Sequence, residues 1–330
     1  AITFDDTDTN MQPDLVWIKT RSNSSNHQMH NSLTSETYHY LRPNSNVAEI
    51  TSNSDALTAF GSDGFTIGND GVINENNYTY VAWCWKGGTT SGISGSGDIT
   101  PSAYSFNQTS GVSIIQYTGT LSSSGTDTVL HGLGAVPKFF ITKQRNSTSV
   151  WYVWHTGLTS INYRLNLNAN ATPADGSGNG SMSNPTSTVI DTNHGGGLNE
   201  SSQTYQGLIF AEKQGFSKFG TYTGNGSDLF MYLGFRPALV LIKKTSATAD
   251  WQNIDNKRGD GNGNAAHRLL WASTSDAESP DYEQDLLSNG FRIKHGGEGN
   301  HRNEAGATYI FAAFAEQPLV NSNGVPCNAR

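Results

Sequence analysis

A short phrase of the sequence recurs three times, and it constrains the fold more than any other feature. It reads PDLVWIK at 13–19, PKFFITK at 137–143 and PALVLIK at 237–243. The anchoring prolines lie 124 and 100 residues apart, a spacing that indicates repeated structural units. Apolar runs that follow a proline and carry Val, Ile, Phe and Trp are typical of β-strands. We therefore predict one β-unit that is used three times.

Each copy carries two further anchors at nearly constant distances. Leucines are followed after 39, 40 and 40 residues by tyrosines that open apolar strands; these pairs are Leu41 with Tyr80, Leu165 with Tyr205, and Leu269 with Tyr309. Apolar runs between the anchors are bounded by Gly, Asn, Asp and Ser, as strands are. The pattern predicts an all-β fold of tandem antiparallel β-sandwich repeats, jelly-roll or lectin-like in form.

The repeat divides the chain into five predicted segments. Copy one spans 1–86, a Gly/Ser-rich linker 87–110, copy two 111–214, copy three 215–318 and a tail 319–330. Copies two and three open with similar strands, GVSIIQYTG at 111–119 and GFSKFGTYTG at 215–224. Copy one has no counterpart of this leading strand. We therefore expect a longer parent polypeptide in which the strand precedes residue 1.

Composition excludes several classes of partner. The net charge of −8, with 15% charged residues, disfavours nucleic-acid binding, which needs a basic surface. No stretch approaches the roughly 18 consecutive apolar residues that cross a membrane. Two cysteines make no disulfide framework, so we expect free thiols. We also expect no cofactor.

Motifs for catalysis or metal binding are incomplete. The HGGG sequence at 194–197 resembles the oxyanion-hole motif of lipases, but the chain has no Gly-x-Ser-x-Gly elbow, so a glycine hairpin is favoured. Neither His27 with His30 nor His295 with His301 has a Cys or carboxylate set at ligand spacing. We predict neither an enzyme nor a metal site.

A loop cation is one alternative that the sequence leaves open. Asp260, Asn262 and Asn264 have the alternate spacing of the start of an EF-hand loop. The twelfth position of that loop would be Trp271 instead of glutamate. The same polar residues can equally form a ligand-binding surface loop.

The tryptophans open a second alternative. Trp151 and Trp251 each lie 14 residues after their prolines, where copy one has His27. Core packing of a repeated strand is the favoured interpretation, and stacking on a sugar is the alternative. For a binding site we take the aromatic residues together with the loop residues: Trp151, Trp154, Trp251, Asp260, Asn262, Asn264, His295 and His301.

Three phrases and the C-terminal sequence resemble a family of phage virion domains from marine bacteriophages and cyanophages. They are PDLVWIK at 13–19, GSDGFTIG at 61–68, YVAWCWKGG at 80–88 and FAEQPLVNSNGVPCNAR at 314–330. Copy two departs from the pattern, because it has no GFTI phrase. The resemblance implies a domain of unknown function in tail fibres and other structural virion proteins, and it supplies no catalytic residues.

From this resemblance we expect a structural protein on the phage particle surface, either a tail fibre or a receptor-binding protein. It would adhere to a host glycan or protein receptor through several weak sites, beside other virion proteins. We expect a homo-oligomer, and the analogy with phage fibres implies a trimer, which would supply further interfaces. Capsid decoration or a head fibre is the alternative. A polysaccharide depolymerase would need clustered carboxylates in a groove.

Overall fold

A computed structural model describes residues 1–4, 10–177, 180–195, 197–259, 265–280, 284–294 and 302–315. These residues form 25 β-strands and no helix, so the predicted all-β class is confirmed. All pairs of neighbouring strands among them are antiparallel. No helix long and apolar enough to span a membrane occurs in these ranges.

Copy one contains six strands in two sheets. The strands are β1 (Ile2–Thr3), β2 (Leu15–Thr20), β3 (Gln28–Asn31), β4 (Leu57–Gly61), β5 (Gly64–Ile67) and β6 (Tyr80–Trp85). One sheet has the order β3-β2-β6 and the other β1-β5-β4. The repeated phrase is the central strand β2, as the apolar run after its proline predicts.

Copy two has a larger inner sheet with the same centre. Strand β7 (Ala103–Asn107) precedes this copy and joins its sheet. The strands of the copy itself are β8 (Val112–Thr118), β9 (Thr126–Leu130), β10 (Pro137–Gln144), β11 (Trp151–His155), β12 (Tyr163–Asn166), β13 (Ala174–Asp175), β14 (Met182–Ser183), β15 (Val189–Asn193) and β16 (Thr204–Ala211). The sheets have the orders β13-β12-β11-β10-β16-β8-β7 and β14-β15-β9.

Copy three repeats the arrangement with nine strands. They are β17 (Ser217–Thr223), β18 (Leu229–Tyr232), β19 (Leu239–Lys244), β20 (Gln252–Asp255), β21 (Ala265–Ala266), β22 (Leu270–Trp271), β23 (Gln284–Leu287), β24 (Gly290–Ile293) and β25 (Thr308–Phe314). The sheets have the orders β17-β25-β19-β20-β22 and β18-β24-β23-β21. In all three copies the phrase strand therefore pairs with the tyrosine strand that closes the copy.

The phrase strands are buried on both faces, because alternate residues enter two different cores. In copy one, Val16 and Ile18 pack with Leu57 and Phe65 of the second sheet. Copies two and three have equivalent cores between their own two sheets. The opposite faces of the three phrase strands meet in one common core, which includes Leu15, Trp17, Phe139, Ile141, Leu239 and Leu241.

Three aromatic residues join the copies at the centre of this common core. Trp85, Phe210 and Phe314 each lie five residues after the tyrosine of their copy. Their ring centroids are 5.2–6.3 Å apart in all three pairings. Burying side chains of this size stabilises a fold by about 1.5–3 kcal/mol each, so the common core is a main source of stability. Whether each copy is an independent tandem sandwich stays a prediction.

Backbone hydrogen bonds link the copies in cyclic order. Copy two bonds to copy one, copy three to copy two, and copy one to copy three. The donor is the N–H twelve residues after the proline: Ser149 to the carbonyl of Asn46 (2.8 Å), Ala249 to Asn170 (2.9 Å) and Ser25 to Ser275 (3.0 Å). The three copies thus form a closed ring of contacts.

Among the described residues, ion pairs reinforce two of the three contacts in this ring. Arg145 of copy two pairs with Glu49 of copy one at 2.8 Å. Arg21 of copy one pairs with Glu278 of copy three at 2.9 Å. The residue of copy three at the position of these arginines is Thr245, which has no charge to pair. At the contact between copies three and two, Lys243 Nζ instead donates to the carbonyl of Asn170 at 3.2 Å.

The segment predicted as a linker, 87–110, is partly built into copy two. Strand β7 lies within it and pairs with β8. Ile99 is buried, and its backbone N–H donates to the carbonyl of Thr128 at 2.9 Å. The linker prediction is therefore wrong for these residues. A Gly/Ser-rich sequence lowers strand propensity, but the exposed edge of β8 gives Ala103–Asn107 a partner.

The lysine that ends each phrase is fully buried and bonds to carbonyl oxygens. Lys19 Nζ donates to the carbonyls of Thr20 (2.6 Å) and Asn23 (3.2 Å). Lys143 bonds in the same way to Gln144 (2.6 Å) and Ser147 (3.3 Å). Burial lowers the pKa of Lys19, Lys143 and Lys243 to about 8. In copies one and two the lysine is thus a structural clamp on the turn that follows the strand, and in copy three it bonds to Lys244 and to Asn170 of copy two.

Candidate functional site

The three tryptophans in the predicted binding site are buried. Trp151 is 0%, Trp251 1% and Trp154 6% exposed, so no ring face is open to a sugar. The prediction that they stack on a ligand is wrong, and the core-packing interpretation is confirmed. Trp154 instead stacks on Phe140, with centroids 4.8 Å apart.

Trp151 and Trp251 hold neighbouring copies together. The indole Nε1 of Trp151 donates to the carbonyls of Arg42 (2.8 Å) and Ser45 (3.1 Å) in copy one. Trp251 Nε1 donates to the carbonyl of Asn166 in copy two at 2.9 Å. A buried indole N–H needs an acceptor, and each finds one across a contact between copies. Sequence spacing placed these residues correctly but could not show which face they occupy.

His27 takes the same role at the third contact. Its Nδ1 accepts a hydrogen bond from Trp17 Nε1 (2.8 Å), which leaves Nε2 to donate to the carbonyl of Thr274 in copy three (3.0 Å). Burial lowers the pKa of His27 to about 3, so the ring is neutral. The metal interpretation of His27 with His30 finds no support, because both side chains are fully buried and hydrogen-bonded.

The loop residues of the predicted site, Asp260, Asn262, Asn264, His295 and His301, lie outside the described residues. Their part in binding stays a prediction. Within the described ranges, no group of three or more His, Cys, Asp and Glu side chains is placed to hold a metal ion.

The structure offers a different candidate, a polar cavity of about 550 Å³ in copy two. It lies between the turn after β10 and the segment that leads into β16. Six residues supply its polar side chains: Gln144, Ser147, Thr148, Ser149, Glu200 and Gln203. Gln144 Nε2 donates to Gln203 Oε1 at 3.0 Å, which holds the two amides together at the wall.

The HGGG sequence forms part of this cavity wall. Gly197 has φ +86°, and a side chain there would collide with the Ser149 hydroxyl. Glycine therefore lets the backbone approach the turn closely. This agrees with the structural interpretation of HGGG from the sequence. Tyr152 also lines the cavity, and the Arg164 guanidinium lies over its ring, 4.7 Å from the centroid.

Glu200 is the one charged group among the described residues that line the cavity. Its backbone N–H donates to the Tyr205 hydroxyl at 2.9 Å, which fixes the residue at the cavity edge. No described residue donates a hydrogen bond to its carboxylate. In copy three the equivalent Glu304 is different, because Lys244 forms an ion pair with it. Gln144 stands at the position of Lys244, so a single substitution between copies leaves the carboxylate of copy two available.

Copy one has a second polar cavity at the equivalent glutamate. It measures about 510 Å³ and is lined by Asn69, Gly71, Asn74, Glu75, Asn76 and Asn77. The N–H of Glu75 donates to the Tyr80 hydroxyl at 2.7 Å, as Glu200 does to Tyr205. The sequence does contain a signal for these sites, since a glutamate lies five residues before each strand tyrosine. Spacing alone does not show that the glutamate borders a cavity, so the sequence analysis does not identify it.

The cavity of copy two combines amides, hydroxyls and one carboxylate, and that of copy one combines amides and one carboxylate, both with little apolar surface. Such groups can exchange hydrogen bonds with the hydroxyls of a carbohydrate, and a carboxylate accepts two at once. Each cavity has one carboxylate among its described lining residues, whereas glycoside hydrolysis uses a pair of acids. The arrangement is therefore suited to binding.

The fold is all-β, with several antiparallel sheets around a common core. The chain belongs to a family described as a domain of unknown function, DUF7483, whose sequence profile matches residues 3–318. No curated protein matches the chain, and no solved structure matches it. The matched range includes all three copies.

Proposed function

We propose that this chain is a structural protein of a phage particle surface that adheres to host-surface glycan. The virion assignment rests on the resemblance of its phrases to phage virion domains. The adhesion rests on one observation, the polar cavity of copy two with its available Glu200 carboxylate. Sugar hydroxyls would donate to Glu200 and exchange hydrogen bonds with the amides of Gln144 and Gln203.

A repeated but shallow site fits adhesion by several weak contacts. The cavities of copies one and two are similar in volume, and each contains the glutamate before the strand tyrosine. Two weak sites on one chain, multiplied over a particle, bind a surface polymer much more tightly than one site. The closed ring holds the two cavities at a constant separation, so no linker has to be ordered on binding.

The test is binding of purified chain to an array of bacterial surface glycans, with two substitutions in the cavity. Glu200→Gln removes the charged acceptor, and we expect affinity to fall about tenfold. Gln144→Lys reproduces the Lys244–Glu304 pair of copy three. We expect it to neutralise Glu200, fill the cavity and abolish binding to copy two.

Glu36→Gln is the matched control, because Glu36 is an exposed glutamate of copy one outside both cavities. It should leave glycan binding unchanged, and all three variants should keep the melting temperature of the parent chain. Unchanged binding by Gln144→Lys would refute the cavity as the glycan site. Release of reducing ends from a bound polysaccharide would instead indicate a depolymerase.

A second function, capsid decoration, is favoured by a small apolar surface on copy three. Phe230 and Tyr232 alternate on β18 and are 42% and 61% exposed. Exposed aromatic side chains on an edge strand suit contact with another virion protein. Immunogold labelling of intact particles separates the two functions: gold at the tail supports host adhesion, and gold over the head supports decoration.

A further inference from the structure

The start of each closing strand brings three groups together: a glutamate in a turn, the strand tyrosine and a residue of the phrase strand. The tyrosine hydroxyl accepts a hydrogen bond from the glutamate N–H in all three copies. In the strand register, the residue seven positions after the anchoring proline lies opposite this tyrosine. The pairs are Thr20 with Tyr80, Gln144 with Tyr205 and Lys244 with Tyr309. Each copy thus presents a different side chain near an equivalent glutamate.

Copy three shows what this glutamate can bind. The Lys244 ammonium forms an ion pair with the Glu304 carboxylate, and the lysine side chain is only 10% exposed. An ammonium group has three donors and no acceptor, so a carboxylate is its natural partner, and hydrogen bonds between charged groups are among the strongest in proteins. The chain therefore contains its own example of an ammonium group held at the glutamate before the strand tyrosine.

Copy two has a cavity and a neutral amide where copy three has this lysine. Gln144 Nε2 donates to Gln203 Oε1 at 3.0 Å. Among the described residues, no lysine or arginine forms an ion pair with Glu200. The half-buried Glu200 and Gln144 both line the cavity. A cationic group of a ligand can thus reach the carboxylate from the cavity.

We propose that the cavity of copy two binds the free ammonium group of an amino sugar in a surface glycan. The ammonium would pair with Glu200 as Lys244 pairs with Glu304. Its other donors would bond to neutral oxygens of the wall, for which Ser147 and Thr148 supply hydroxyls. The inference rests on the proposed glycan adhesion and specifies the class of sugar that the same cavity selects.

The charge and the wall of the cavity favour an amino sugar over two other cations. One carboxylate balances a single positive charge, whereas a calcium ion takes six to eight oxygen ligands, several of them carboxylates. A lysine of a partner protein would bring a four-carbon stem that needs apolar cover. The wall instead consists mostly of hydroxyls and amides, which match the ring hydroxyls of a sugar. The volume of about 550 Å³ is within the range of small-ligand sites.

Copy one presents the same carboxylate in a more exposed setting. The residue opposite its strand tyrosine is Thr20, which has no charge, and Glu75 lines the cavity together with asparagine amides. Glu75 is exposed, so water and salt weaken its attraction for a cation. We therefore expect copy one to bind the same amino sugar more weakly than copy two.

The first test compares two tetrasaccharides that differ only in the amine, β-1,4-linked glucosamine and its N-acetylated form, on the full chain at physiological ionic strength. N-acetylation removes the positive charge, so we expect the amine form to bind about tenfold more tightly. Glu200→Gln should remove most of this preference. Glu36→Gln changes the net charge equally at an exposed glutamate outside both cavities and should keep the preference.

The second test is a gain of binding, which misfolding cannot imitate. Lys244→Gln gives copy three the residue of copy two and releases Glu304 from its ion pair. We expect equilibrium dialysis with saturating glucosamine tetrasaccharide to show one more molecule bound per chain. Lys86→Gln is the matched control, because Lys86 is an exposed lysine and its loss changes the net charge equally. It should add no binding.

Three results would overturn the ammonium site and leave glycan adhesion standing. One is equal affinity for the two tetrasaccharides when Glu200→Gln weakens both. Another is an equal loss in Glu200→Gln and Glu36→Gln, which indicates general attraction of a polycation to a chain of net charge −8. The third is equally tight, Glu200-dependent binding of tetralysine, because a polypeptide would then supply the ammonium.

The opposite combination separates the two proposals. Glu200-dependent binding of the glucosamine tetrasaccharide, together with no binding to any glycan on the array of bacterial surface glycans, would support the ammonium site. It would refute adhesion to host-surface glycan.

Discussion

Single residues explain why the phrase ends in lysine in all three copies. The ammonium groups of Lys19, Lys143 and Lys243 donate to backbone carbonyls of the next turn or of a neighbouring copy. Burial makes the charged form costly, and carbonyl dipoles compensate only part of that cost. The clamp is thus most favourable when the lysine can release its proton.

We predict that the free energy of unfolding rises between pH 8 and pH 9.5. The folded pKa of the three lysines, about 8, is lower than the 10.5 of an unfolded lysine. In this range the unfolded chain holds more protons, so stability rises with pH, by about 2 kcal/mol per lysine at pH 9.5. Burial raises the pKa of the Cys84 thiol to about 12. Because the folded chain then holds the thiol proton more tightly than the unfolded chain, Cys84 reduces the rise in unfolding free energy by about 1 kcal/mol.

Urea titrations at pH 8, 8.75 and 9.5 measure this rise. Lys143→Met supplies the control, because it removes one of three titrating groups and should reduce the slope by about a third. A flat or falling profile for the parent chain would show that the buried lysines keep ordinary pKa values.

Among the elements, the start of each closing strand is built in the same way. The strand tyrosine accepts a hydrogen bond from the N–H of the glutamate five residues earlier: Glu75 with Tyr80, Glu200 with Tyr205 and Glu304 with Tyr309. The bond fixes the turn that carries the glutamate side chain. In copies one and two this turn borders a cavity, so a local element positions the candidate binding group.

We predict that Tyr205→Phe costs about 1–2 kcal/mol of unfolding free energy. The substitution removes the acceptor of the Glu200 N–H, and water does not replace it because Tyr205 is fully buried. Tyr80→Phe should cost about 0.5 kcal/mol or less, since water reaches the exposed Glu75. Chemical denaturation of both variants gives the comparison. Equal losses would contradict the view that burial of the turn sets the cost.

In the whole molecule, neutral histidines support the ring of contacts. His27 joins copies one and three, and His155 Nε2 donates to the carbonyl of Phe311 across copies two and three (3.0 Å). Burial lowers the pKa of His27 to about 3 and that of His30, His131 and His155 to about 4. The closed ring therefore requires uncharged imidazoles.

We predict that mild acid destabilises the fold. Each of the four buried histidines has a folded pKa below the 6.5 of an unfolded histidine, so its contribution is complete above pH 6.5 and is lost as pH falls towards 4. At pH 5 the loss is about 2 kcal/mol per histidine. Melting temperatures from pH 7.5 to pH 5 measure it. His27→Gln should reduce the dependence by about a quarter, and a melting temperature independent of pH would refute the prediction.

Local patterns predicted the elements well and the surfaces poorly. The repeated phrase and the tyrosine runs predicted β2, β10, β19, β6, β16 and β25, because strand propensity and flanking prolines act locally. The same patterns could not show that Trp151 and Trp251 face another copy, since a strand has two faces and only packing selects between them. The polar cavity of copy two also escaped prediction, because its walls come from segments about 50 residues apart.

The sequence by itself determined the all-β class, the three equivalent strands and the position of each clamp lysine, since these depend on residues close together in the chain. The tertiary structure alone decided that the copies share one core and that His27 replaces an indole at the third contact. Those features depend on contacts between residues more than 80 positions apart, such as Trp251 with Asn166. Such contacts form only when three separate apolar faces are removed from water together.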